Sequence, residues 1–243
     1  MLEPLRQAGF DVLAKNHAEA ILAHDFPGEL AELIEVLTEF RIDIGEIIAG
    51  GGGEASFTQR LRRALTARAW PKHVFVVQTI VDGVEREAIS HEIDHVRVAA
   101  NGTLALEIEW NNKDPFYDRD LENFQRLHAQ GAVSLGLIVT RGSRMQDAFH
   151  TRIAARLVAD GAENDTDLER YGIVERTAAQ RRSVAALMEK GMPFAEAFTR
   201  NFVSSKFGQA TTHWDKLRAR VDRGVGNPCP LLLIGLPDTM LAG

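Results

Sequence analysis

Residues 90–120 read SHEIDHVRVAANGTLALEIEWNNKDPFYDRD, and the architecture turns on this stretch. Two runs of alternating apolar residues flank Asn101-Gly102, a dipeptide that signals a β-hairpin turn. Asp94 lies in the first run, and Glu107 and Glu109 in the second. Side chains on a strand alternate between faces, so Glu107 and Glu109 point one way and Leu106 and Ile108 the other. Asp94 is expected to oppose them from the neighbouring strand, which brings three carboxylates toward one point. Like charges so close repel unless a cation sits between them. A hard divalent ion that prefers oxygen ligands, Mg²⁺ above all, suits such a set. Alternating glutamates also describe the solvated face of an amphipathic sheet, and spacing alone does not separate the two readings.

The segment after Glu109 favours a ligand site. Residues 110–120 are rich in amides and charges and carry two aromatic residues after the tryptophan. Asparagine amides pair with base edges, and Lys and Arg suit phosphates. Asn111, Asn112, Lys113 and Arg119 are therefore expected to contact a nucleic acid. For Asn112 a second reading stays open, because Asn also forms turns and a Pro-containing loop comes next.

At this point the sequence resembles a known family. Asp94 followed by Glu107-Ile108-Glu109 looks like the PD-(D/E)xK nuclease core, with a carboxylate where the lysine is usual and Ile93 where proline is usual. The run EIEWNNKDPFYDRDLENF at 107–124 resembles the BglII-type family of type II restriction endonucleases, in the Glu-x-Glu form of BamHI-like enzymes. The glycines at 50–53, TTHW at 211–214 and NPCPLLLIGL at 227–236 resemble the same family, so the likeness spans 41–236.

The resemblance implies an α/β restriction-endonuclease-like core, a mixed central sheet flanked by helices. It implies Mg²⁺ held by Asp94, Glu107 and Glu109, and hydrolysis of double-stranded DNA at a short palindromic site. Glu109, in place of the lysine, would orient or deprotonate the attacking water or share a second ion. Such nucleases often draw a further acid from an early helix. Glu54 is the candidate and Glu46 the alternative, although Glu54 also fits simple complementation of a helix N-terminus. A homodimer would match a palindrome, and a companion DNA methyltransferase would protect the host's own sites. A repair or structure-specific nuclease on the same core, or a catalytically silent DNA-binding module, are the other readings.

Composition sets outer bounds. The 243 residues are 45% hydrophobic and 26% charged, ordinary for a globular chain. No apolar run reaches the ~20 residues of a membrane span, no signal peptide is evident, and a cytoplasmic setting is expected. The lone Cys229 excludes an internal disulfide and lies in an apolar run that suits a core. Net charge is −6, which does not advertise DNA binding; the distribution of charge matters more.

Along the chain, residues 1–40 read as helical. A short strand is expected near 40–44, and the glycines at 50–53 read as a loop, since no Gly-Lys-Ser/Thr closes a phosphate-binding motif. Ser56 to Gln59 suggests a capping box opening a helix. A strand at 74–81 precedes the central hairpin. A helix near 121–128 and a buried strand at 134–140 come after it, giving the strand, strand, helix, strand order of the nuclease core. Arg141, at the C-terminal end of that strand, is expected to meet ligand. One domain covers 1–243, with a helical insert at about 145–203. After it, Lys206, Thr211, Thr212 and His213 lie in a polar string suited to DNA contacts. A helix at 215–221 and a buried strand at 230–236 close the chain.

Overall fold

The computed structural model describes residues 1–50 and 53–243. The strands are β1 (Asp11–Lys15), β2 (Ile42–Asp43), β3 (His73–Val81), β4 (Val84–Ile93), β5 (His95–Ala99), β6 (Gly102–Glu109), β7 (Leu135–Arg141), β8 (Leu231–Leu236) and β9 (Leu241–Ala242). The helices are α1 (Glu3–Gln7), α2 (Ala18–Asp25), α3 (Pro27–Glu39), α4 (Ile44–Ile48), α5 (Ser56–Thr66), α6 (Phe116–Ala129), α7 (Ser143–Ala159), α8 (Ala178–Met188), α9 (Phe194–Lys206) and α10 (Trp214–Asp222).

A five-stranded sheet in the order β1-β8-β7-β6-β5 forms the centre. Strands β6, β7 and β8 run parallel, and β1 and β5 close the two edges antiparallel. The parallel middle explains why β7 and β8 read as unbroken apolar runs: both of their faces are covered. One face packs Leu104, Leu106, Leu137 and Ile234 into the larger core, together with residues of α2 to α5 and α7 to α9. The other packs Ala105, Ile138 and Leu233 against Tyr117, Leu121 and Phe124 of α6 and Leu217 of α10. The chain is thus a mixed α/β fold with helices on both faces of a mixed sheet, as expected. Met145, Phe149, Ile153 and Leu157 of α7 belong to the larger core, so this part of the expected helical insert is integral to the domain.

The approach of α6 to β7 is close. A Cβ at Gly136 would overlap the Phe124 ring. Gly136→Ala is expected to lower stability by about 1–3 kcal/mol through overpacking, read as a lower denaturant midpoint at unchanged slope.

Several local expectations need correction. Residues 1–40 are not all helical: β1 pairs with β8 in register Leu13 to Leu233. Its five residues are all partly exposed, so no alternation marks it in the sequence. The hairpin turn is Ala100-Asn101, because Ala99 pairs with Gly102. Gly102 begins β6 at φ +145°, where a Cβ would run into Ser134 Oγ. Helix α5 starts at Ser56 as expected, yet its N-cap is Ala55 and no capping box forms; Ser56 Oγ donates to Glu46 Oε1 at 2.7 Å instead. Of the four glycines at 50–53, Gly51 and Gly52 lie outside the described residues.

The strand at 74–81 pairs with β4 in a separate two-stranded sheet. Strand β4 therefore does not run on into the central sheet. The chain bends at Asp94 and enters that sheet as β5, so Asp94 sits at a corner rather than inside one strand. This corner positions the site.

Candidate active site

The end of β6 carries the acids. Glu107 lies opposite Ile138 and Glu109 opposite Thr140 in the parallel register with β7. Both point to the α6 side of the sheet, while Ile108 points to the larger core, as the alternation predicts. At the corner beside them, Asp94 donates its backbone N–H to Glu107 Oε2 at 3.1 Å. Its own Oδ2 accepts from the Ile108 N–H at 3.4 Å. The glutamates are not a solvated face: Glu107 and Glu109 are 4% and 3% exposed.

Helix α6 adds a fourth acid that sequence reading did not single out. Asp120 is fully buried and faces Glu109, with Glu107 close by. Arg119 bridges the group from outside. Its Nε and Nη2 donate to Asp120 Oδ1 at 2.9 and 2.8 Å, and Nη2 lies 3.8 Å from Glu109 Oε1. The signal was present in the helical pattern. Tyr117, Asp120, Leu121, Phe124 and Leu127 form the buried stripe of α6, and an aspartate at such a position is out of place unless something holds it.

Burial raises the Glu107 carboxyl to about 10, and the nearby charges of Asp120 and Asp94 add to the effect. Burial likewise raises Glu109 to about 8, with Asp120 adding, while a hydrogen bond from Asn112 opposes. Asp120 is also raised, again mainly by burial. A carboxyl raised in the folded state adds stability that is complete below its unfolded value of 4.5 and lost as pH rises through the folded value. In chelating buffer, stability is therefore expected to fall between about pH 4.5 and 10, most steeply below about pH 8, where both glutamates contribute. Glu107→Gln should melt higher than wild type at pH 8 and show a flatter profile, measured by calorimetry.

Beside the corner opens a cleft of about 690 Å³, lined among others by Glu46, Glu54, Arg62, Asp94, Trp110, Asn112 and Lys206. Arg62 ties two of the acids together, 2.8 Å from Glu54 and 3.6 Å from Asp94. Glu54 thus shares a wall with Asp94, while Glu46 is engaged by Arg60 and Ser56. Asn112 is exposed and donates to Glu109 Oε2 at 2.9 Å. Asn112 and Lys113 also pair with Thr212 and Thr211 as a short ladder beyond the end of β6. Asn111, Lys113 and Arg119 reach the surface.

Burial takes three expected DNA contacts away from any ligand. Arg141, Thr212 and His213 are 0%, 0% and 2% exposed. Arg141 donates to the Thr212 carbonyl, Thr211 Oγ1 and Gln146 Oε1 and lies over the rings of Trp110, Phe149 and Phe207. It anchors the 211–212 segment. Lys206 lines the cleft, but its Nζ is held by the Ile47 and Ala49 carbonyls, and burial lowers its pKa.

The donor chemistry fits a hard cation: four carboxylates, two of them almost wholly buried and a third wholly so. The expected convergence on one point is not met by the side chains as they stand. Among the described residues, no three His, Cys, Asp or Glu side chains are spaced to hold an ion. Asp94 leans on Arg62 and the Ile108 N–H, and Glu109 on Asn112. Asp120 Oδ2 meets no donor while Glu109 is charged, and a proton on Glu109 bonds the two side chains.

The α/β core thus carries paired acids at the end of a central strand. The sequence matches the family model described as Restriction endonuclease BglII/BglIII over residues 10–236, and the chain belongs to that family. It is accordingly a restriction endonuclease, a DNA-binding nuclease that hydrolyses its substrate. No curated protein matches the sequence. No helix among the described residues is long and apolar enough to cross a membrane.

Proposed function

We propose that the chain is a type II enzyme that cuts double-stranded DNA at a short palindromic site, as a homodimer, with Mg²⁺. The observation that carries this reading is the acidic cluster of Asp94, Glu107 and Glu109 at the strand end, with both glutamates buried. Acids gathered out of water favour a counter-cation over solvent. When bound, Mg²⁺ supplies positive charge at the scissile phosphate and makes water a better nucleophile at neutral pH.

The chain's own residues do the rest. Asp94 and Glu107 would hold the cation. Glu109, on the same face two residues on, accepts a hydrogen from the attacking water and aligns it. Glu54 completes the acidic wall from the cleft side, with Arg62 balancing its charge. Lys113 and Arg119, both exposed, meet phosphates. Asn111 and Asn112 stand at the cleft edge, where their amides match base edges and reject others. Thr211, paired to Lys113, supports this reading edge from behind. A companion methyltransferase would act on the same site.

Digestion of a plasmid of known sequence, with the ends mapped, tests the proposal. Discrete fragments in Mg²⁺, and none in chelator, are expected. A smear would favour a repair or structure-specific nuclease on the same core. Binding without cutting, under any divalent ion, would favour a silent DNA-binding module.

A further inference from the structure

We infer that Arg62 binds the scissile phosphate and stabilises the charge that builds on it, an inference that rests on reading the cleft beside Asp94 as the site of DNA cleavage. Hydrolysis joins a water oxygen to phosphorus and breaks one phosphorus–ester bond; the proton lost by water balances the one gained by the departing alcohol. Negative charge grows on the phosphate oxygens on the way, and a fixed positive donor beside them lowers the barrier. The corner and the end of β6 supply acids there, so a basic partner must come from another element. Among the described residues, two basic side chains line the cleft, Arg62 and Lys206. Lys206 is taken: its Nζ bonds the Ile47 and Ala49 carbonyls.

Helix α5 brings Arg62 to the corner. Phe57, Leu61 and Leu65 bury its inner face, and Arg62 stands beside them with its side chain 31% exposed. Nη1 donates to Glu54 Oε2 at 2.8 Å. Nη2 lies 3.6 Å from Asp94 Oδ1, too long for a hydrogen bond. A guanidinium has five N–H donors in a planar fork that grips a phosphate with two of them, and among the described residues Arg62 uses one. A counter-charge for Glu54 alone accounts for Nη1 and not for the turn of Nη2 toward Asp94. Glu54 is itself 36% exposed, and an exposed pair contributes little to the fold. The two roles part when Glu54 loses its charge: a counter-charge then has no task, whereas a phosphate ligand keeps its own.

Full-length wild type, Arg62→Ala, Glu54→Gln and the double variant are compared by single-turnover cleavage of plasmid DNA in Mg²⁺. Their affinity for a DNA fragment carrying the mapped site is read in chelator over a salt series. Arg62→Ala is expected to cut about 10²–10³-fold more slowly, the range for loss of one transition-state donor, and by the same factor with Glu or Gln at position 54. The slope of log affinity against log salt should become shallower by roughly 0.9, one phosphate contact, with Tm unchanged. Recovery of rate and slope in the double variant, to the values of Glu54→Gln alone, overturns the inference and leaves Arg62 a counter-charge. Wild-type rate and slope in Arg62→Ala overturn it as well. Should Arg62→Ala fail to fold, Arg62→Gln carries the same comparison; loss of the fold by both assigns Arg62 to structure and overturns the inference. An Asp94→Asn control that cuts at the wild-type rate would instead defeat the underlying reading of this corner, and the role of Arg62 with it.

Discussion

Glu107→Ala is expected to reduce DNA cleavage in Mg²⁺ by about 10³-fold or more, the rate equivalent of several kcal/mol of lost charge stabilisation. DNA binding should persist. Affinity for DNA rests chiefly on phosphate contacts and the counterions they release, and Glu107 is buried behind the strand rather than set on the surface. Binding without metal should stay unchanged, because burial keeps the Glu107 carboxyl protonated at neutral pH and the substitution then removes no charge. The fold should survive as well. Glu107 accepts one backbone hydrogen bond, from Asp94, while its burial among acids opposes folding at neutral pH. Cleavage and filter-binding assays on the same preparation separate these effects. Cleavage near the wild-type rate would remove Glu107 from the active site. Loss of cleavage together with loss of the fold would reassign it to structure.

Arg141→Ala is expected to act in the opposite way, on stability before activity. Its guanidinium donates to the Thr212 carbonyl at 3.1 and 2.5 Å, to Thr211 Oγ1 at 2.7 Å and to Gln146 Oε1 at 2.5 Å. The side chain also fills space among three aromatic rings. Truncation opens a cavity and strands the Thr212 carbonyl without its donor. A cost of about 3–5 kcal/mol is expected from the range for broken buried charged groups, or roughly 6–20 °C in Tm for a chain of this size. A surface DNA contact would show the reverse, an unchanged Tm with weaker, less salt-dependent binding. Thermal melting and a salt titration of DNA binding distinguish the two outcomes.

Arg141 also shows where sequence reading fails. It stands after a buried strand, at a position where ligands often bind, and one side chain there can point outward or fold back. Which of these occurs depends on Thr211 and Thr212, about seventy residues further on, and no local pattern carries that information. The central strands were legible because their physics is local. Alternation places Glu107 and Glu109 on one face, and unbroken apolar runs mark β7 and β8 as covered on both sides. Strand β1 was hidden because its half-exposed residues leave no alternation. Asp120 was legible in principle, as an acid within an apolar helical stripe, yet its meaning emerges only when α6 packs across the end of β6. The corner at Asp94 comes from β4 leaving its partner strand, a tertiary event. The sequence therefore names three of the four acids but does not show that Arg62 engages Asp94 and Asn112 engages Glu109.

Whether Asp94 and Glu107 hold a divalent cation at the end of β6 can be read from crystals of the protein grown with Mn²⁺ and measured at a wavelength sensitive to manganese. One anomalous peak is expected at the corner, about 2.0–2.6 Å from oxygens of both Asp94 and Glu107, the range for hard divalent ions. A peak bound by Glu46 and by neither Asp94 nor Glu107, or no peak at saturating Mn²⁺, would contradict a cation held by Asp94 and Glu107.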